Sequence, residues 1–365
     1  MSQTTPAVLR AGIIGTGFMG GVHAAAVRAA GHMISSVAGS TPAGGADGAA
    51  RLGGRRAAAS AAELIASADV DVVHVCTPNL THAELAAAAL EAGKAVICEK
   101  PLATSTGETE SLVQAAGRSG RLAAVPFVYR FYPTVREARA RIASGEAGDL
   151  WLLHGSYLQD WLAGSSATNW RVDPAQGGLS RAFGDIGVHW CDLMEFVTGH
   201  RILRLVASTA NAYRERGGEA ARTEDGAVVL FETDRGAAGS LVVSQVTPGR
   251  KNRLWFSFDG TEASYSFDQE QPDALWVGGT IEDRIVVRGP DTLTSDDSRR
   301  LARLPAGHPQ GYQDSFTAFV SDAYAVAAGE ERDGVPTFAD GHRAAVLTAA
   351  VIDSAKLNSW VEVPL

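Results

Sequence analysis

Two short stretches carry the side chains that could do acid–base chemistry: Glu99 and Lys100 in AVICEKP, and Asp185 and His189 in GDIGVH. A lysine ammonium beside a substrate hydroxyl or carbonyl stabilises the alkoxide-like charge that develops as hydride leaves or arrives, and it can hand over a proton. Pro101 fixes its own φ and restricts Lys100, which helps to aim the side chain, and an X-Pro bond is one that a chain can hold cis. A purely structural reading of the same residues is a solvated ion pair at a strand end. Asp185 and His189 stand at i, i+4, a spacing that on an α-helix puts carboxylate and imidazole on one face. Histidine takes a proton from an alcohol near neutral pH, and a nearby carboxylate orients it and raises its pKa. The structural alternative makes Asp185 a helix N-cap and His189 a satisfied core residue below it.

These groups need a partner that accepts or donates hydride, and the chain offers a place for one near its start. Gly15-Thr16-Gly17-Phe18-Met19-Gly20 lies between a β-branched run and an Ala-rich stretch. In a strand-turn-helix setting, GxGxxG lets backbone N–H groups and the helix N-terminus approach a dinucleotide pyrophosphate. Gly15, Gly17, Phe18, Met19 and Gly20 are therefore expected at the cofactor, with Ser40 and Thr41 near its adenosine ribose. An Asp or Glu is expected at the end of the second strand where a free ribose 2′-OH is gripped. This chain has Gly39-Ser40-Thr41 there, and Arg51 is the nearest arginine in sequence, so NAD and NADP both stay open. Thr77, Pro78, Asn79 and His82 follow the third long strand, and Glu99 and Lys100 the fourth, at the carboxyl edge where open α/β sheets bind ligands. For Thr77 a plain strand-to-helix turn is an equal reading.

Stepping outward along the chain, the elements are those of α/β architecture. VLRAGIIG, MISSVAGS, VDVVHVCT, AVICE and LAAVPFV read as strands of a doubly wound parallel sheet, alternating with helices such as FMGGVHAAAVRAAG. In THAELAAAALEAGK, Thr81 and Glu84 have the spacing of a capping box, and Gly93 fits the helix end. The stretch from Thr41 to Ala62 is biased toward Gly and Ala. From about residue 126 consecutive strands with turn signals predominate, as in a largely antiparallel sheet, and two helical segments, YQDSFTAFVSDAYAVAAGE and GHRAAVLTAAVIDSAKL, precede a last strand WVEV. Residues 1–125 and 126–365 are expected to form two domains.

The 365 residues are 45% hydrophobic with a formal net charge of −9, so nothing suggests a nucleic-acid or anionic-membrane binder. Cys76, Cys98 and Cys191 are far apart and odd in number, which argues against a disulfide framework or structural zinc site and for a reducing compartment. No Asp/Glu/His cluster has metal-ligand spacing. The start MSQTTPAVLR lacks the basic stretch and apolar core of a signal peptide, and no apolar run reaches the ~18 residues needed to span a bilayer. A cytoplasmic protein is expected.

GTGFMG, the CTPN turn, THAELAAAALEAGKAVICEKPLA and GGLSRAFGDIGVHWCDL together resemble the glucose-fructose oxidoreductase, inositol dehydrogenase and rhizopine-catabolism (Gfo/Idh/MocA) oxidoreductases. The resemblance implies an N-terminal Rossmann domain and a C-terminal α/β domain with a large, mostly antiparallel open sheet. That sheet's open face often forms a dimer interface, so a homodimer or homotetramer is expected. It also implies catalytic roles: His189 as proton acceptor from the oxidised hydroxyl, Asp185 as its support, and Lys100 polarising the same oxygen. Tyr157, Gln159, Trp161, Trp170 and Arg171 mix rings with amide and guanidinium groups, a mixture suited to a polyhydroxylated ring. With Asp185 and His189 they are the expected substrate contacts, although Trp161 and Trp170 could equally pack a domain interface. Tyr129 and Arg130 could line the cleft or act as an interdomain strut. YLQDW and NWR are similar to those of family members acting on pyranosides or anhydrosugars, the levoglucosan dehydrogenases among them. The implied activity is NAD(P)-dependent oxidation or reduction at a CH–OH group of a sugar, anhydrosugar or cyclitol. Two rivals are a non-enzymatic NAD(P)-binding sugar sensor, which turnover of added cofactor would exclude, and an enzyme with tightly bound, recycled cofactor, which copurified nicotinamide would reveal.

Overall fold

The computed structural model describes residues 8–167 and 169–365; most of the N-terminal stretch read as free of a signal peptide, and Thr168, lie outside the described residues. By its contacts the chain divides into two compact units, one running to Pro126 and including Tyr312–His342, the other comprising Phe127–Gly311 and Arg343–Leu365.

In the first unit the elements are β1 (Arg10–Ile14), α1 (Phe18–Ala29), β2 (Met33–Ala38), α2 (Pro42–Leu52), β3 (Arg56–Ala57), α3 (Ala61–Ala66), β4 (Val72–Val75), α4 (His82–Glu91), β5 (Ala95–Cys98), α5 (Thr106–Ser119) and β6 (Ala123–Ala124). The six strands pair in parallel in the order β3-β2-β1-β4-β5-β6. Every residue of β4 and β5 is buried, which is why both read as unbroken apolar runs in a sheet covered on two faces. The strand order reverses between β1 and β4, and a ligand crevice forms outside the carboxyl ends of strands at such a point. The helix Tyr312–Ala327 belongs to this unit and packs on α1.

Residue pattern assigns no element to one stretch of this unit and misplaces one helix cap. The Gly/Ala-rich stretch after Thr41 is a regular helix, α2, with Pro42 at its first turn, the Thr41 hydroxyl accepting from the Gly44 N–H at 3.1 Å, and Gly53 closing it at φ +74°. The capping box at Thr81 does not form. A 3₁₀ turn over Asn79–Thr81 precedes α4, leaving Thr81 in a helical conformation, and its hydroxyl donates to the Pro78 carbonyl at 3.0 Å and pairs with the Thr77 hydroxyl at 2.7 Å. A capping side chain belongs to an extended residue and accepts a backbone N–H, and Thr81 is not extended.

In the second unit α6 (Pro133–Ala143), β7 (Leu150–Leu158), α7 (Pro174–Gly177) and α8 (Val188–Thr198) precede the remaining strands: β8 (Ile202–Ala210), β9 (Glu215–Arg216), β10 (Glu219–Ala220), β11 (Gly226–Thr233), β12 (Ala238–Ser244), β13 (Arg253–Gly260), β14 (Ala263–Asp268), β15 (Ala274–Gly279) and β16 (Asp283–Val287), with α9 (Asp296–Leu301) and β17 (Val361–Glu362) closing the series. Nine strands form one sheet in the order β16-β15-β14-β13-β7-β12-β11-β8-β17, antiparallel except for the β7–β12 pair. The helix Phe338–Leu357 adds a hydrogen bond from the Ala207 N–H to the Ser354 hydroxyl at 2.9 Å. Strand β16 is almost wholly exposed and so carries no alternation by which to recognise it.

Alternation is clear in β11: Ala227, Val229 and Phe231 are buried, whereas Val228 and Leu230 on the opposite face are about half exposed, as is Val242 opposite Val228 on β12. On the covered face α8 is seated closely. The Trp190 indole N–H donates to the Trp255 carbonyl at 2.9 Å, and a Cβ at position 155 would lie 2.3 Å from that indole nitrogen, so Gly155 permits the approach.

Candidate functional site

The glycine turn of the first unit is shaped as a cradle for a pyrophosphate. Gly15 has φ +105°, its N–H donates to the Ala38 carbonyl at 2.9 Å, and a Cβ there would lie 2.4 Å from the Cys76 carbonyl oxygen. A Cβ on Gly20 would lie 2.2 Å from the Gly15 oxygen, whereas a Cβ on Gly17 would meet nothing within 4 Å. The first and third glycines thus let α1, β1 and β4 close up, and the second leaves the helix N-terminus open to an anion. Phe18 is 80% exposed at that helix start, and Met19 is half-buried. Ser40 is exposed beyond the end of β2.

The turns after β4 and β5 are tied to one another. The His82 imidazole, on the first turn of α4, bridges the carbonyls of Thr77 at 2.9 Å and Pro101 at 2.7 Å. Burial lowers its pKa against those two hydrogen bonds. Asn79 is buried and Pro78 exposed in the same turn. The Lys100–Pro101 peptide bond is cis, and Lys100 itself is half-buried.

Glu99 is the inner member of a buried polar chain. Its Oε1 lies 3.0 Å from His23 Nε2, His23 Nδ1 lies 2.8 Å from His74 Nδ1, and His74 Nε2 lies 2.8 Å from the Tyr324 hydroxyl. The other carboxylate oxygen, Oε2, accepts the Lys100 backbone N–H at 3.1 Å. Burial alone would raise the Glu99 pKa, but the His23 hydrogen bond and the charges of His23, Lys100 and His82 bring it below the usual carboxylate range. Burial, and secondarily His23, pushes His74 well below the ordinary imidazole value, and burial pushes the Tyr324 phenol up. So Glu99 and Lys100 are not a solvated ion pair. The glutamate is a buried anchor for the backbone that carries the lysine.

In the second unit the segment GLSRAFGDIGVH is held by a buried ionic cluster. Arg181 and Arg216 both pair with Asp225, and Glu224 accepts from the Ser180 hydroxyl at 2.7 Å and from the Phe183 N–H at 3.0 Å. The chain then forms a π-turn over Phe183–Gly187 before α8 begins, a feature frequent at functional sites. This corrects the single-helix picture: Asp185 lies in the wider π-turn and His189 in the α-helix after it, so the i, i+4 rule of one regular helix does not apply between them. Nor is Asp185 the N-cap, a position that falls to Gly187. The Asp185 carboxylate instead accepts from Gln245 Nε2 at 2.7 Å and faces Arg171 Nε at 3.7 Å. The His189 ring meets Tyr129, Phe127 and Tyr157, with centroids at 5.2, 5.5 and 6.3 Å.

Three of the candidate substrate residues of this unit, Tyr157, Gln159 and Trp161, are linked by hydrogen bonds. The Tyr157 hydroxyl pairs with that of Tyr129 and donates to Asn252 Oδ1 at 2.8 Å; Gln159 Nε2 donates to the same oxygen at 2.7 Å, and the Trp161 indole N–H to Gln159 Oε1 at 2.8 Å. Burial raises the Tyr129 pKa, the Asp185 charge adds to the rise, and the bonds to Tyr157 and Asn252 oppose it. The Arg171 guanidinium lies over the Trp170 ring at 4.4 Å. Arg130 pairs with Asp192 on α8 and lies over Phe196 at 4.7 Å, which makes it a strut inside this unit. Sequence reasoning misses Asn252, Gln245, Glu224, Asp225, His23, His74 and Tyr324. Each comes from a segment distant along the chain and carries no motif, so only the fold reveals its role.

Among the described residues there is no His/Cys/Asp/Glu group able to hold a metal, no helix long and apolar enough to cross a membrane, and all three cysteines are free and buried.

Comparison with known proteins agrees with this geometry. Residues 9–127 match the oxidoreductase family with an NAD-binding Rossmann fold, and residues 135–266 match the GFO/IDH/MocA C-terminal domain. The chain is 32% identical to levoglucosan dehydrogenase of Pseudarthrobacter phenanthrenivorans over 98% of both chains, and 28% identical to inositol 2-dehydrogenase 2 of Saccharopolyspora erythraea over 97% of this chain and 95% of that one. Among solved structures it resembles levoglucosan dehydrogenase in complex with NADH and levoglucosan (TM-score 0.91, 31% identity, 98% of this chain and 100% of the other). An oxidoreductase domain protein from Kribbella flavida is as similar in fold (TM-score 0.91, 34% identity, 98% and 100%). With its glycine cradle, its buried glutamate under the EKP turn and its π-turn before the histidine helix, the chain belongs to the Gfo/Idh/MocA family of oxidoreductases.

Proposed function

We propose that the protein is an NAD(P)-dependent dehydrogenase acting on a ring hydroxyl of a sugar, anhydrosugar or cyclitol, with Lys100, Asp185 and His189 as its acid–base groups. A bound nicotinamide supplies the acceptor or donor of hydride. His189 removes the hydroxyl proton as the carbonyl forms, Asp185 supports the imidazolium that results, and the Lys100 ammonium stabilises the oxygen as charge develops on it. In the reducing direction the same groups return the proton.

The observation that carries this reading is the held state of Asp185. Its carboxylate, half-buried and held by Gln245 and Arg171, sits in a π-turn four residues before His189. Tyr157, Gln159 and Trp161, linked through Asn252, offer hydroxyl, amide and indole groups with an apolar ring face, which suits a polyhydroxylated ring with C–H faces. The similarity to levoglucosan and inositol dehydrogenases supports the same substrate classes. Mixing the protein with NAD⁺ or NADP⁺ and a panel of inositols, monosaccharides and anhydrosugars tests the reading by the appearance of reduced nicotinamide. No turnover with any member would refute it.

The half-exposed valines and leucine on the open face of the nine-stranded sheet support assembly into a homodimer or a homotetramer built from such dimers, because contiguous exposed apolar surface marks an interaction site. The free, buried cysteines are in keeping with a reducing, cytoplasmic setting.

A further inference from the structure

The adenosine end of the cofactor site differs from one built for a free 2′-hydroxyl. A carboxylate at the end of the second strand of a dinucleotide fold grips that hydroxyl, and an arginine nearby accommodates a 2′-phosphate. Residues 39 to 41 hold no carboxylate. The structure shows that the first of them cannot: a Cβ on Gly39 would lie 2.6 Å from the Gly45 nitrogen and 2.8 Å from the Gly44 carbonyl carbon. The start of α2 is packed against the strand end, so any side chain at position 39 would push the helix away. Thr41 is committed to capping α2, and Ser40 stands exposed beside it.

The cation that the sequence leaves unplaced is at the turn itself. Arg51, exposed on the last turn of α2, donates from its guanidinium to the Thr16 carbonyl inside the GxGxxG loop. Its approach depends on Gly48 one turn earlier, where a Cβ would lie 2.2 Å from the Thr16 methyl. That close seating brings the end of α2 onto the loop. The Thr16 oxygen takes one of the five N–H donors of a guanidinium, and a planar fork is the usual partner of a phosphate. Asp47, four residues earlier on the same helix, is its single carboxylate and is exposed to solvent.

We propose that this end of the site takes a 2′-phosphate, so that the protein binds NADP(H) at least as well as NAD(H), with Arg51 as the cation of the phosphate. The inference rests on the dinucleotide-binding reading of the glycine turn and is independent of the substrate and of the acid–base groups.

Binding, not turnover, tests it. Wild-type protein and the surface variants Arg51→Ala and Arg51→Lys are titrated calorimetrically with NADPH, NADH, and the fragments 2′,5′-ADP and 5′-ADP. We expect the wild type to bind NADPH no more weakly than NADH, and 2′,5′-ADP more tightly than 5′-ADP. Arg51→Ala should weaken NADPH and 2′,5′-ADP about tenfold while leaving NADH and 5′-ADP within about twofold, the loss of one charge-assisted pair, and Arg51→Lys should recover part of that loss. Weaker binding of NADPH than NADH by the wild type would overturn the inference alone, as would equal weakening of all four ligands in Arg51→Ala. Failure of all four to bind the wild type would overturn the dinucleotide reading with it.

Discussion

His23 Nε2 lies 3.0 Å from Glu99 Oε1, with both side chains almost wholly enclosed and the other glutamate oxygen holding the backbone N–H of Lys100. The four side chains form one continuous hydrogen-bonded run, from the Tyr324 hydroxyl through His74 and His23 to the glutamate. A buried network in which every member has a partner fixes one geometry. Here it fixes the turn from which Lys100 projects.

Removing the histidine from that pair should therefore cost more than an ordinary core change. His23→Leu removes one of the two hydrogen-bond donors to a buried carboxylate, a loss of at least about 1–3 kcal/mol, read as a shift in urea-induced unfolding. Combining it with Glu99→Gln should cost less than the sum of the two single changes, since the charge left short of a donor is gone. Additive effects would show that the pair is not coupled.

Acid should destabilise the fold in two limbs. Burial depresses His74, and also His82, His32 and His200, below the ordinary value of 6.5, so the unfolded chain binds more protons and stability falls as pH drops through and below 6.5. Glu99, depressed below 4.5, adds stability that is complete above that value and is lost as pH falls through its folded pKa. Melting temperatures measured downward from neutral pH should fall in the first limb, and His74→Asn should make that limb shallower.

The glycine cradle tolerates no side chain at its closed positions. Gly20→Ala would place a methyl 2.2 Å from the Gly15 oxygen, so NADH and NADPH binding, followed by fluorescence, should weaken together by more than about tenfold while the second unit's unfolding is unaffected. Retained affinity would show that the loop does not carry the pyrophosphate.

On the open sheet face, Val228→Asp should convert the assembled protein to monomers in light scattering. The side chain is about half exposed and sits opposite Val242, so the monomer itself should keep its fold. An unchanged mass would place the assembly surface elsewhere.

Much of the fold is legible from residue pattern alone. Buried strands such as β4 and β5 announce themselves as apolar runs, β11 by its alternation, and α1 by the glycines before it. What escapes is structure set by distant partners. The π-turn at Phe183–Gly187 depends on Glu224 and Asp225, which lie about forty residues away and bond its approach through Ser180, Arg181 and Phe183; spacing within GDIGVH therefore suggests one regular helix where the chain makes two kinds of turn. Thr81 reads as a cap because its neighbours fit the pattern, yet the preceding 3₁₀ turn leaves its backbone helical rather than extended. The candidate acid–base residues are legible as types, while the groups that hold them, Gln245, Asn252 and the His23–His74–Tyr324 chain, are not.

The most direct measurement is turnover of the best sugar or cyclitol substrate by Lys100→Met and His189→Asn, with cofactor affinity determined on the same samples. We expect each variant to lose about 10²- to 10⁴-fold in kcat, the usual worth of a positioned acid–base group, while the dissociation constant of the reduced cofactor stays within about threefold. Wild-type kcat in either variant would contradict the roles assigned to these two side chains.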